Sequence, residues 1–101
     1  MQENAILVVV EILAVRDPAG MKEYQERAGK LIGPLGGVML GAGGKSVEGE
    51  AGFGPLAIQR WPSEEAFRAW LGSEAYQPLQ KIRLASATMR VSIVPVLAGR
   101  A

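Results

Sequence analysis

The sequence predicts an α+β domain of order βαββαβ, closing as a four-stranded antiparallel sheet with both helices on one face. Three observations carry this. Four short apolar runs, the first dominated by β-branched residues, are spaced along the chain. Apolar residues recur at helical spacing between the first and second runs and between the third and fourth. Each changeover is marked by Gly, by Pro or by a residue that caps helices.

Ala5 to Val15, "AILVVVEILAV", reads as a strand covered on both faces. Asp17-Pro18 stops it: Asp17 can accept from the free N–H groups of a following helix, and Pro18 suits the first helical position. Met21, Tyr24, Ala28, Leu31, Ile32 and Leu35 then form an apolar stripe, with Lys22, Glu23, Glu26 and Arg27 off it. The helix is expected to end near Gly33-Pro34. Gly36-Gly37 opens a second strand over Val38 to Gly43, and "GGKSVEGEAGFGP" reads as a hairpin loop. Leu56 to Trp61 is the third strand. Ser63 caps a second helix whose first turn holds Glu64 and Glu65, and whose buried stripe is Ala66, Phe67, Trp70 and Leu71. Gly72 fits its break. Pro78 restarts a helix running to about Ala87, because proline is tolerated in a first turn and not inside a helix. Val91 to Leu97 is the last strand, with Pro95 at an edge.

All 101 residues fit one domain, residues 1–101. Hydrophobic residues make up 49%, and the mean hydropathy is +0.14, rich for a small domain. The first strand is too apolar to leave a sheet face wet. A second copy packing sheet to sheet is the simplest cover, so a homodimer is expected. A net charge of +1 lacks the basic excess of a nucleic-acid binder. With neither Cys nor His, disulfides, thiolate chemistry and the usual metal sites are excluded, and neither cofactor nor metal is expected. The opening residues have no basic leader pattern. The apolar run is too short to span a bilayer, so no membrane segment and a cytoplasmic location are expected.

"GAGGKS", Gly41 to Ser46, suggests a phosphate loop, but the motif would need Gly where Met39 stands, and no helix pattern follows. Glu11 interrupts an apolar strand. Either it pairs with Arg60 or Arg90 at a wet interface, or it is a base with a raised pKa. Gln59 and Arg60 are adjacent in a strand, so one must point away from the helices; either could polarise a cleft. Tyr24 lies on the buried stripe, its hydroxyl seeking a partner, and Trp61 and Trp70 are core residues. Tyr76, Leu79 and Arg83 stand at i, i+3 and i+7. Arg83 either lets its head snorkel to water or presents a planar fork to a carboxylate or enolate. That shared orientation depends on Pro78 leaving the register intact.

The stretch "RWPSEEAFRAWLGSEAYQPLQKIRLASA" resembles the most characteristic segment of the domain-of-unknown-function family DUF1330. That family shows aromatic-Pro-Ser after a strand, a helix with an aromatic near its end, then Ser-Pro-Glu-Tyr-Gln and an Arg. Trp61-Pro62-Ser63, Trp70, Ser73, Tyr76-Gln77 and Arg83 match. Asp17, Tyr24, Gly36-Gly37, Gly43-Gly44 and Glu48-Gly49 agree in order. The resemblance implies a ferredoxin-like fold that dimerises into an α/β barrel, and no established activity. In two places the chain departs from the family. The acid before the last strand is missing in Ser86-Ala87-Thr88-Met89-Arg90, and Pro95-Val96 replaces the usual Glu-Gly.

Three functions compete. One is a cleft between sheet and helices for a small, apolar, anionic molecule, with Arg83 holding the charge, Tyr24 and Tyr76 as walls, and Glu11 and Arg60 as further candidates. Another is a cofactor-free monooxygenase or isomerase, which needs a base such as Glu11. The third is a non-catalytic structural or interaction module.

Overall fold

The computed structural model describes residues 4–49 and 54–97. Its elements are β1 (Ile6–Val15), α1 (Pro18–Gly29), a 3₁₀ turn (Gly33–Leu35), β2 (Val38–Gly43), β3 (Leu56–Trp61), α2 (Glu64–Leu71), α3 (Gln77–Ser86) and β4 (Ala87–Pro95). The strands form one antiparallel sheet in the order β2-β3-β1-β4. This is the βαββαβ plan, with the second helix split in two.

The helix starts follow from local chemistry. Asp17 Oδ1 accepts from Gly20 N–H at 3.1 Å, and Pro18 sits in the first turn of α1. Ser63 Oγ accepts from Ala66 N–H at 3.1 Å, with Glu64 and Glu65 at the positive end of α2. Glycine is required at the entry to β2. Gly36 has φ +98°, and a Cβ on Gly37 would lie 2.7 Å from the Trp61 ring.

Alternation along β1 sorts its residues between faces. Ile6, Val8, Val10 and Ile12 face the helices, paired in register with Trp61, Gln59 and Ala57 of β3 and with Ile93, Val91 and Met89 of β4. Val8, Trp61, Tyr76 and Leu79 are essentially inaccessible. Each such side chain contributes about 1.5–3 kcal/mol relative to exposure, so a one-residue slip that swapped the faces would forfeit the core. The core is strongly aromatic. Trp61 packs edge-on to Phe67 at 5.5 Å, and Trp70 lies 4.1 Å from Tyr76 between ring centroids.

The opposite face carries Leu7, Val9, Glu11, Ile58, Arg60, Arg90 and Val94. The helices cover one face of β1; on the other, within one chain, Glu11 is met by Gly54 and the apolar side chains stay partly exposed.

Two further boundaries differ from expectation. The first helix ends at Gly29, and the remaining apolar residues continue through the 3₁₀ turn. The last strand begins at Ala87, not Val91. The reason is tertiary. The Ser86 carbonyl accepts from Arg16 N–H (2.7 Å) and Asp17 N–H (3.1 Å). The Arg16 guanidinium donates to Leu84 O (2.6 Å), Ala87 O (3.0 Å) and Thr88 Oγ1 (2.7 Å). These bonds satisfy the carbonyls at the end of α3 and pull the chain straight into pairing with β1. Pro95 ends β4 at the sheet edge, as its missing N–H requires.

Candidate functional site

The joint between α2 and α3 aims the site. Gly72 ends α2 by donating to the Arg68 carbonyl at 3.0 Å. Ser73 Oγ–H donates to Trp70 O (2.8 Å), and the same oxygen accepts from Tyr76 N–H (3.2 Å). Gln77 Nε2 donates to Leu71 O at 2.8 Å. Tyr76 becomes the cap of α3, and Pro78 falls in the first turn, where its missing N–H breaks nothing. The register from Tyr76 to Arg83 is therefore intact. Two helical turns bring both onto one face, and both line the same cavity.

That cavity, about 300 Å³, lies between the sheet and the helices. Its walls are mainly apolar, with Val10, Ile12, Met21, Ala57, Met89 and Val91 among them. Tyr24 of α1 enters from the side and meets Tyr76 hydroxyl to hydroxyl at 2.9 Å, the rings set edge to face at 6.2 Å. Burial pushes the Tyr24 phenol well above its ordinary value, and the bond to Tyr76 pushes the same way; the Arg83 charge beside it acts in opposition without reversing the shift. Tyr24 is thus a neutral hydroxyl at physiological pH. Arg83 is half-buried and has no carboxylate partner among the described residues, and no described residue lining the cavity is acidic.

Tyr24, Tyr76 and Arg83 are brought together; Glu11 and Arg60 are not. Glu11 lies on the outer face, its Oε2 accepting from Gly54 N–H at 3.1 Å and its Oε1 3.7 Å from Arg90 Nη1. Of the two arginines the sequence offers it, Arg90 is the one it meets, on the sheet face away from the cavity. Arg60 pairs in register with Leu7 and Val38 on that same outer face and borders a shallow hollow with Pro62 and Ser63.

Two further residues line the cavity: Gln59, which the sequence leaves level with Arg60 as a group that could polarise a cleft, and Trp70, which it reads as core only. Gln59 shares the inward parity of Trp61, and its Oε1 accepts from Trp61 Nε1 at 2.8 Å. That parity was the available signal, since a buried Trp61 places Gln59 on the helix face too. Trp70 lines the cavity as well, and its buried Nε1–H has no hydrogen-bond partner among the described residues, an arrangement that costs roughly 1–3 kcal/mol. Indole ring and donor cannot be told apart in sequence.

With this geometry in place, the comparisons with known proteins gain meaning. A family model, Domain of unknown function (DUF1330), matches residues 5–97, and the chain belongs to that family. No curated protein matches it in sequence. Among solved structures, the RPA0582 protein of unknown function from Rhodopseudomonas palustris is 19% identical, with a TM-score of 0.78 over 95% of this chain and 85% of that one. SnoaB, a cofactor-independent oxygenase from Streptomyces nogalater, is 16% identical, with a TM-score of 0.68 over 97% and 96%. A dimeric protein of unknown function and ferredoxin-like fold from Bacteroides fragilis is 10% identical, with a TM-score of 0.61 over 91% and 96%. At these identities the likeness establishes the ferredoxin-like fold. No helix among the described residues is long and apolar enough to cross a membrane.

Proposed function

We propose that this member of the DUF1330 family works as a cytoplasmic homodimer that binds a small, mostly apolar organic acid between its sheet and its helices. The carrying observation is the meeting of Tyr24, Tyr76 and Arg83 at one side of an apolar cavity without acidic residues among its described lining. An arginine stem can pack while its fork meets a carboxylate, phenolate or enolate. With no carboxylate among the described residues to neutralise it, Arg83 favours an anionic guest. The tyrosine pair adds a neutral hydroxyl beside the charge. The homodimer reading rests on the apolar residues of the outer sheet face, Val38 at 52% and Val94 at 42% exposure among them.

The binding reading is better supported than the cofactor-free oxygenase or isomerase, because no carboxylate base stands among the described residues that line the cavity. Glu11 is held on the other face, and Tyr24 is kept protonated. The volume, about 300 Å³, also argues against a purely structural module, since it reaches the lower end of small-molecule sites.

The test is calorimetric titration with 2-naphthoate and its neutral analogue 2-naphthamide. Arg83→Ala is expected to weaken the naphthoate at least about tenfold while leaving the amide unchanged. Equal affinity of wild type and variant for the acid would remove Arg83 from the site.

A further inference from the structure

The cavity's polar lining leaves several hydrogen-bond donors unspent. Arg83 can only donate. The Tyr24 and Tyr76 hydroxyls carry two hydrogens and spend one on each other, so one is left to give. On the sheet side, Gln59 is 9% exposed and lines the cavity. Its Oε1 is committed to Trp61 Nε1 at 2.8 Å. Only this assignment of the amide works, because an indole nitrogen cannot accept. The two arms of an amide diverge, so Nε2 is the arm left toward the cavity, and no described residue accepts from it. Gln59 Nε2 is therefore an accessible donor beside the cavity, whereas the Trp70 Nε1–H, unpartnered among the described residues, is sealed from it. A donor held on a buried side chain and left without a protein acceptor is unusual, since buried polar groups are nearly always satisfied.

Resting on the reading of the cavity as a site for an apolar acid, we infer that Gln59 is a specificity-determining residue, donating from Nε2 to a second, uncharged acceptor on the ligand. The ligand class is thereby narrowed to an oxo-acid or oxo-phenol. Its anionic oxygen sits at Arg83 under the helices. A carbonyl-type oxygen reaches Gln59 Nε2 on the sheet. The apolar body between them lies against Val10 and Met89. A simple aromatic acid would leave the Gln59 donor buried and unmet, which is the asymmetry that makes such donors strong discriminators.

The experiment compares two probes of nearly equal shape, fluorene-2-carboxylate and 9-fluorenone-2-carboxylate, by isothermal titration. Wild type is expected to prefer the ketone about five- to tenfold. Gln59→Glu keeps an oxygen for Trp61 Nε1 and removes the donor, so the ratio should fall to one or below even though both acids weaken. Gln59→Leu should bring the ratio to about one, but it also strands Trp61 Nε1, which is why the Glu variant is the primary test. Arg83→Ala should weaken both probes and leave the ratio standing. Equal binding of both probes to wild type, or an unchanged ratio in Gln59→Glu, would overturn the role of Gln59 while leaving the apolar-acid site intact. Failure of both probes to bind at all would sink the two readings together.

Discussion

The two faces of the sheet are built from alternate residues of the same strands, yet they solve different problems. On the inner face, Val8 is buried, and Gln59 Oε1 accepts from Trp61 Nε1. One step along each strand, Val9 and Ile58 are only half-buried, and Glu11 meets Arg90 in a pair whose arginine is two-thirds exposed. Polar groups on the inner face keep donors in reserve beside the cavity, Gln59 Nε2 and the Arg83 fork among them. Polar groups on the outer face are matched to one another. A charge can thus sit in an apolar strand without being catalytic, while an uncharged glutamine can be the more informative residue.

The sharpest way to break this contrast is to truncate neighbours on opposite faces. Val8→Ala should lower unfolding free energy by about 2 kcal/mol at any protein concentration, because it opens a cavity in the core. Val9→Ala should act through association, lowering stability more at high protein concentration and shifting sedimentation toward monomer. Equal, concentration-independent losses would show that the faces do not divide in this way.

A smaller effect comes from pH. Tyr24 is held above its ordinary value of about 10, chiefly by burial. The unfolded chain therefore loses that proton first. The contribution is fully present below about pH 10 and declines as pH rises past it. Alkaline titration at the tyrosinate absorbance band should show a transition in native protein displaced upward from the denatured one, and Tyr24→Phe should remove it. A native titration superimposed on the denatured curve would contradict the buried hydroxyl pair.

The smallest change is expected at Glu11. Glu11→Gln keeps an acceptor for Gly54 N–H and loses only a long contact to an exposed arginine, so stability should fall by less than about 1 kcal/mol. Affinity for 2-naphthoate should not move. A loss of binding in this variant would place Glu11 functionally on the cavity side, against its position in the sheet.

Much of the fold could be read from local chemistry. The bounds of β2, β3 and α2 follow from Gly36-Gly37, Pro62 and the Ser63 cap, all of which act within a few residues. Tyr76, Leu79 and Arg83 could be placed on one face because helical periodicity is also local. The start of β4 was misjudged because Arg16 ends α3 from the other end of the chain. Nothing near Ser86 announces that partner.

Periodicity, caps and alternation, each set by steric and hydrogen-bonding rules acting over a few residues, were enough to establish the elements, their order and which residues share a face. Tertiary structure alone decided that Tyr24 would meet Tyr76 across 52 residues of sequence, that Gln59 Oε1 would be taken by Trp61, and that Glu11 would find Arg90 away from the cavity. Those outcomes depend on which strand lies beside which and in what register, a choice made by burying the whole aromatic core at once.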